Sequence, residues 1–356
     1  MKIIFTGGGT AGHISLNLAL IPLFIEKGYE VHYIGSKNGM EKELIGELLN
    51  VKYHEIPTGK LRRYFSKENF KDFFNVFKGI TEAKRIISDI KPNVVFSKGG
   101  FVSFPVVVGA RINRVPVIIH ESDLTAGLAN KLSFPFCTKV FLTFKDEKNE
   151  FGKKGEYIGA IVRSELNLGS KQKAMKICGF TNSKPNILVM GGSSGANSIN
   201  QAIWNNLDIL LKDFNIIHIC GKGGINNSVK RKNYVQFEFL KKELADIFAL
   251  SDMAISRAGS NSIFEFLSIK LPMLLVPLTK NQSRGDQIEN AKYFENKGYC
   301  KVIEDEKINS ELFVEKIYQT YSNNVEIKGK MNQCEELGSI DELVSKIIEL
   351  SQNNKK

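Results

Sequence analysis

Lys2-Ile3-Ile4-Phe5-Thr6-Gly7-Gly8-Gly9-Thr10-Ala11-Gly12-His13 runs from a short apolar stretch straight into a turn of glycines, and a helical pattern begins at Ser15. A second segment of the same design, Asn186-Ile187-Leu188-Val189-Met190-Gly191-Gly192-Ser193-Ser194-Gly195-Ala196, lies in the other half of the chain. A strand that turns on glycines into a helix bares backbone N–H groups, and the helix start adds about half an elementary positive charge. Such a turn suits an anion, a diphosphate above all. One is weak evidence, but two in equivalent places predict two nucleotide-fold domains.

Working outward, β-rich runs at 2–6, 30–35, 94–97, 115–120 and 139–143 alternate with helical patterns such as 15–27 and 67–90. That alternation predicts an α/β class, with parallel sheets covered by helices on both faces. After a Lys-rich polar stretch at 170–185 the pattern restarts, with strands expected at 186–190, 216–220, 235–239, 253–256 and 273–277. The 356 residues exceed the roughly 250 to 300 at which one core stops growing. We expect a first domain over 1–162, a second over 163–335, and a C-terminal helix over 336–356 that packs back on the first. Ligands of open parallel sheets bind beyond the carboxyl ends of the strands, where both glycine turns lie. The expected site is the cleft between the halves.

Composition narrows the classes. Five cysteines, scattered and without a CxxC pair, argue against a disulfide framework or a zinc site, and fit a reducing cytoplasm. The apolar start meets glycine too soon for a signal peptide, and no stretch approaches the ~20 apolar residues of a membrane span. No carboxylate-rich metal motif accompanies the turns, so neither a metal nor a cofactor is expected. The net charge of +11 calls for an anionic partner. Residues 60–91 hold nine Lys or Arg against four Asp or Glu, interleaved with aromatics. Within them Phe70, Phe73, Phe74 and Phe77 follow i, i+3, i+4, i+7 spacing. That stripe reads either as a core-facing helix side or as an interfacial helix on anionic lipid. No nucleic-acid module accompanies it, and no nucleic-acid partner is expected.

The motifs divide the chemistry. Gly7-x-Gly9-x-x-Gly12 satisfies the dinucleotide fingerprint in form, yet Tyr33-Ile34-Gly35-Ser36-Lys37 lacks the acid that would hold a ribose. His13, at a helix start beside three glycines, is a candidate to accept a proton from a sugar hydroxyl. Ser256-Arg257-Ala258-Gly259-Ser260-Asn261-Ser262-Ile263-Phe264-Glu265 again turns from strand to helix, with Ser260 or Asn261 as the expected cap. Glu265 there can meet sugar hydroxyls or merely complement the helix dipole, and Arg257 can be a structural ion-pair partner. Asp286 and Gln287, after the strand at 274–277, can grip sugar hydroxyls. Gly99-Gly100-Phe101-Val102-Ser103 and His120-Glu121-Ser122-Asp123 are strand-end groups of the first half.

The ordered set Gly-Gly-Thr-Ala-Gly-His13, Gly99-Gly-Phe-x-Ser-x-Pro105, His120-Glu-Ser-Asp-x-x-x-Gly-Leu-Ala-Asn130, Gly-Gly-Ser-x-Gly-Ala196 and Arg257-Ala-Gly-Ser-x-x-x-x-Glu265 resembles the MurG family of peptidoglycan N-acetylglucosaminyltransferases. The resemblance implies the glycosyltransferase-B fold, two Rossmann-like domains with a cleft. It implies a hexosyltransferase that moves GlcNAc from UDP-GlcNAc to the MurNAc 4-hydroxyl of lipid I, with inversion, to make lipid II. Cell wall biogenesis, cell shape and cell division would depend on it. The implied location is cytoplasmic, peripheral on the inner face of the cell membrane. Carried over by motif, Thr10, Ala11 and Gly12 line the donor-sugar side and His13 is the base, with Asp123 an alternative base or acceptor contact. Arg163 and Ser193 meet the diphosphate or nucleotide, and Leu240 the uracil. Ser260, Asn261, Ser262, Ile263, Phe264 and Glu265 meet the diphosphate and ribose, and Asp286 and Gln287 the transferred sugar. The chain departs from the family pattern at Leu16, Asp123 and Asp286. Two other readings share the fold: a glycolipid transferase with a diacylglycerol acceptor and a UDP-GlcNAc 2-epimerase-like enzyme.

Overall fold

The computed structural model describes residues 1–59, 67–181, 183–191, 195–280, 282 and 285–352, and for Ala11 and residues 67–73 the backbone alone. Two compact units emerge, one of Met1–Ile161 with Gly338–Lys356, the other of Val162–Leu337.

The first unit carries seven parallel strands: β1 (Lys2–Thr6), β2 (Glu30–Ser36), β3 (Val51–Ile56), β4 (Val94–Ser97), β5 (Val117–Glu121), β6 (Lys139–Leu142) and β7 (Gly155–Tyr157). Their order is β3-β2-β1-β4-β5-β6-β7. The sheet is flanked by α1 (Ser15–Glu26), α2 (Met40–Gly46), α3 (Lys67–Ile90), α4 (Ser103–Ile112) and α5 (Leu128–Ser133). β1 and β4 are buried almost throughout, as strands covered on both faces must be. Phe5 on β1 meets Phe24 of α1 edge to face at 5.7 Å and Phe96 of β4 at 5.8 Å. Lys27 caps α1, and Gly28, at φ 76°, supplies the left-handed turn that stops it.

The second unit repeats the plan with β8 (Asn186–Met190), β9 (Asn215–Ile219), β10 (Tyr234–Phe237), β11 (Met253–Ser256), β12 (Met273–Leu275) and β13 (Cys300–Val302), in the order β10-β9-β8-β11-β12-β13. Around this sheet run α6 (Lys171–Cys178), α7 (Asn197–Leu210), α8 (Leu244–Leu250), α9 (Ser260–Ser268), α10 (Asp286–Asn296), α11 (Glu311–Ser322) and α12 (Asn324–Met331). α6 begins where the Ser170 hydroxyl accepts the Lys173 N–H, and ends at Gly179 in the left-handed region.

The last helix, α13 (Ile340–Gln352), belongs to the first unit. Its buried Leu343, Val344 and Ile347 join the core around Phe5 and Phe24. The Tyr29 and Ser351 hydroxyls meet at 2.8 Å, and Lys346 pairs with Glu156 at 2.6 Å.

In each sheet the strand order reverses beside the first strand, between β1 and β4 and between β8 and β11. Ligands of doubly wound sheets collect at that switch point. Each glycine turn follows the strand on one side of a switch, which is what makes these turns the places to look.

Candidate active site

In the first unit two glycine turns interlock at the switch point. The Gly8 N–H donates to the Gly99 carbonyl, and the Gly7 carbonyl accepts from the Tyr33 hydroxyl at 2.6 Å. A methyl group on Gly100, at φ 85°, would overlap the Gly8 carbonyl and come within 3.1 Å of His13 Nδ1. Only glycine allows that approach. His13 closes the short helical turn Ala11–His13, its own N–H on the Thr10 carbonyl. Its Nδ1 lies 3.2 Å from the Gly8 carbonyl and 3.0 Å from the Thr10 hydroxyl. A carbonyl only accepts, so the neutral ring carries its proton on Nδ1, and the basic lone pair falls on Nε2. This arrangement suits a general base.

Beneath the turn lies a carboxylate that the sequence patterns did not reveal. Glu41, on the buried side of α2, is fully shielded from solvent. It accepts the Gly9 N–H at 3.3 Å, the Ser36 N–H at 3.0 Å and the Ser36 hydroxyl at 2.5 Å. A Cβ on Gly8 would strike it at 2.5 Å. The first turn was expected to cradle a diphosphate, yet its Gly8 and Gly9 amides are committed inside the protein.

A second buried polar group follows β4 and β5. Glu121 accepts the Asp123 and Gly127 amides, each at 3.0 Å, and the Asn130 side-chain amide at 2.9 Å. Burial and the charge of Asp123 raise its pKa, against those hydrogen bonds. Lys98 is 2 % exposed, and its ammonium finds no hydrogen-bond partner among the described residues. Burial pushes its pKa down to about 8, opposed by the charges of Glu121 and Asp123. His120 is buried beside it, and desolvation with the Lys98 charge holds its pKa well down. Asp123 itself is half-buried in the loop after β5.

In the second unit, the Gly191 turn follows β8 and the Ser256–Gly259 turn follows β11. Ser193 lies outside the described residues. Gly259, not Ser260 or Asn261, is the N-cap of α9 and has no side chain to offer, and the first-turn amides of Ser260, Asn261 and Ser262 are directed along the axis at the helix start. Ile263 and Phe264 follow in the same helix. Both side chains are buried, Phe264 edge to face with Phe294 at 5.2 Å, and the Ile263 N–H is already bonded to Gly259. Their side chains anchor the helix in the interior. Glu265, in the second turn, accepts from Arg163 Nη2 at 2.9 Å. Desolvation raises the Glu265 pKa and Arg163 opposes that rise. Leu240 is half-buried in the loop after β10, beside exposed Phe239. Asp286 is the first residue of α10, and the Gln287 amide oxygen accepts the Leu278 N–H at 3.1 Å.

Arg257 is a structural ion-pair partner. Its guanidinium donates to Asp305 Oδ1 at 2.6 Å, to the Ser198 hydroxyl at 2.6 Å and to the Val276 carbonyl at 3.1 Å. It thereby ties the ends of β11 and β12 to the start of α7. On α3, Phe74 and Phe77 are 69 % and 55 % exposed, so these two do not face the core, while the side chains of Phe70 and Phe73 lie outside the described residues. No helix among the described residues is long and apolar enough to cross a membrane.

Residues 3–142 match the glycosyltransferase family 28 N-terminal domain, and residues 186–345 match its C-terminal domain. The chain is 53% identical over 350 residues to the UDP-N-acetylglucosamine–N-acetylmuramyl-(pentapeptide) pyrophosphoryl-undecaprenol N-acetylglucosamine transferase of Clostridium botulinum, covering 98% of this chain and 97% of that one. It is 51% identical over 354 residues to the transferase of the same name from Geobacillus thermodenitrificans, covering 99% and 98%. The crystal structure of Acinetobacter baumannii MurG shares the fold, with a TM-score of 0.76 at 22% identity over 98% of this chain and 99% of that one.

Proposed function

This chain belongs to glycosyltransferase family 28, in its MurG branch with the glycosyltransferase-B fold, and on that footing we propose the reaction it performs. It transfers GlcNAc from UDP-GlcNAc to undecaprenyl-diphospho-MurNAc-pentapeptide, lipid I, and so forms lipid II. The observation that carries this reading is the near-identical length and half-identical sequence shared with the named transferases across both units.

The chemistry follows from the two sets of side chains. In the first unit His13 Nε2 takes the proton of the MurNAc 4-hydroxyl as that oxygen bonds to the anomeric carbon of GlcNAc. The bond from that carbon to the UDP oxygen breaks in the same step, the electron pair leaves with UDP, and the configuration inverts. In the second unit the amides of Ser260, Asn261 and Ser262 and the α9 dipole offset the charge of the departing diphosphate, with Arg163 beside them. Glu265 binds ribose hydroxyls and steers Arg163, Leu240 packs on the uracil, and Gln287 with Asp286 holds the transferred sugar. Thr10 orients His13 through its hydroxyl, Gly12 gives the donor sugar room, and Asp123 lies on the acceptor side.

The acceptor is anchored by its lipid, so the enzyme works as a peripheral protein at a membrane surface. Phe74 and Phe77, exposed on α3 within the Lys- and Arg-rich segment 60–91, supply an apolar and cationic contact with anionic lipid. The deciding experiment is purified protein with UDP-GlcNAc and a lipid I analogue, followed by UDP release and disaccharide formation. Transfer only to diacylglycerol, or epimerisation of the donor without an acceptor, would overturn the reading.

A further inference from the structure

The first unit holds a cavity of about 570 Å³ that shares a wall with the His13 turn. Gly9 and Phe101 form that wall, and Lys37, Asn38, Thr58 and Asn75 give the cavity its polar lining. Gly9 stands beside Thr10, whose hydroxyl touches His13. A Cβ on Gly9 would run into the Phe101 ring at 2.6 Å, so the wall is close-packed, and the Gly9 N–H is spent on Glu41 from the other side. Lys37 is exposed and is the one charged side chain among the described residues of the lining. The volume lies in the range of small-molecule sites, about 300 to 1,000 Å³.

Resting on the function proposed above, we infer that this cavity receives the peptide of the acceptor, with Lys37 pairing a peptide carboxylate and Asn38, Thr58 and Asn75 binding its amides. The hydroxyl that reacts is on C4 of MurNAc, and the lactyl ether bearing the peptide is on C3, the neighbouring carbon. The diphosphate and its lipid leave from C1, at the opposite end of the ring. With the 4-hydroxyl at His13, the peptide branches one ring carbon away, within reach of the cavity walled by Gly9, while the diphosphate leaves from the far end of the ring. The single cation and several amide-type partners there match a short peptide with free carboxylate.

The test compares two acceptors, the lipid-linked MurNAc diphosphate with and without its pentapeptide, in the wild type and in Lys37→Glu and Asn75→Ala variants. The ratio of kcat/KM for the two acceptors is expected to fall about tenfold in Lys37→Glu, the size of one lost charge-assisted hydrogen bond, and about fivefold in Asn75→Ala, the size of one lost neutral hydrogen bond. An equal loss with both acceptors would overturn the inference, because it would assign Lys37 to the diphosphate they share. So would an unchanged ratio. A second readout needs no catalysis: a soluble muramyl pentapeptide titrated into the full chain should shift the backbone amide signals of Asn38, Thr58 and Asn75 in the wild type, and not in Lys37→Glu. Shifts confined to other residues would refute the site. Failure of the wild type to use either acceptor would instead overturn the proposed function, while the titration would still judge the cavity.

Discussion

Arg163 and Glu265, 102 positions apart in the chain, meet at 2.9 Å in the second unit, the guanidinium donating to a carboxylate that is only 18 % exposed. Each offsets the charge of the other. Arg163→Ala is expected to weaken UDP binding roughly tenfold to a hundredfold, as loss of a charge-assisted contact does. It also removes the group that opposes the burial-raised pKa of Glu265, so that carboxyl should titrate at a still higher pH. Calorimetric titration with UDP and carbon NMR of the carboxyl check the two halves. An unaltered UDP affinity would free Arg163 from the donor site.

His13→Ala should lower turnover by roughly a hundredfold to ten-thousandfold, the usual contribution of a positioned base, with UDP affinity retained because the donor groups belong to the other unit. Gly100→Ala should do similar damage with the imidazole still in the sequence, since a methyl there overlaps the Gly8 carbonyl that orients the ring and crowds His13 Nδ1 itself. If His13→Ala keeps its turnover and Asp123→Asn loses it, the carboxylate is the base.

The Arg257–Asp305 pair is buried on both sides, each side chain 10 % exposed. Removing one partner of such a pair leaves a stranded charge, which costs about 3 to 5 kcal/mol. Asp305→Ala is expected to lower the denaturant midpoint accordingly, and Asp305→Asn by less. A loss below about 1 kcal/mol would mean that the pair is solvated in solution.

Stability should fall in alkali. Burial raises the thiols of Cys178 and Cys220 to about 12 from an ordinary value of 9.0. A group whose folded pKa is raised binds its proton more tightly in the folded state, so its contribution is full below pH 9 and declines as pH rises towards 12. Each such thiol then removes less than about 1.4 kcal/mol per pH unit. Lys98, depressed to about 8, acts oppositely between pH 8 and its unfolded value of 10.5, but as one group against several thiols. Guanidinium unfolding at pH 8.5 and 10.5 should show a net loss, reduced in Cys178→Ala and Cys220→Ala.

Binding to anionic vesicles should weaken when Phe74 and Phe77 are both replaced by serine, and should fall with added salt in the wild type. Undiminished binding by the double variant would place the membrane contact elsewhere.

The sequence announced its folding plan where local pattern and burial coincide. β4 and β11 are buried apolar runs, and the 67–90 helix has a long period of apolar positions, so their limits were legible. β3 escaped notice because it is an edge strand of half-buried, charged residues, which suits an edge and blurs its alternation. β7 and β13, three residues each and partly exposed at the sheet edges, carry little apolar signal, whereas β12, equally short, is buried and apolar and shows itself. In the site, His13 was legible from its glycines. Glu41 was not, because its partner Gly9 lies 32 positions away and nothing local marks the pair. Lys98 reads as an ordinary surface lysine until the sheet buries it.

The carboxylate of Glu41 beneath the first glycine turn has a consequence for selectivity among metabolites. Free dinucleotides and nucleoside polyphosphates seek glycine turns of this shape, and a cell holds them in abundance. Here the turn amide of Gly9 is satisfied from within by a carboxylate shielded from solvent, and the Gly8 amide by the Gly99 carbonyl, so neither is offered to a phosphate. The first unit thus uses this turn to hold its own fold together, and its Gly8 and Gly9 amides are not the general phosphate grip that the glycine pattern suggests.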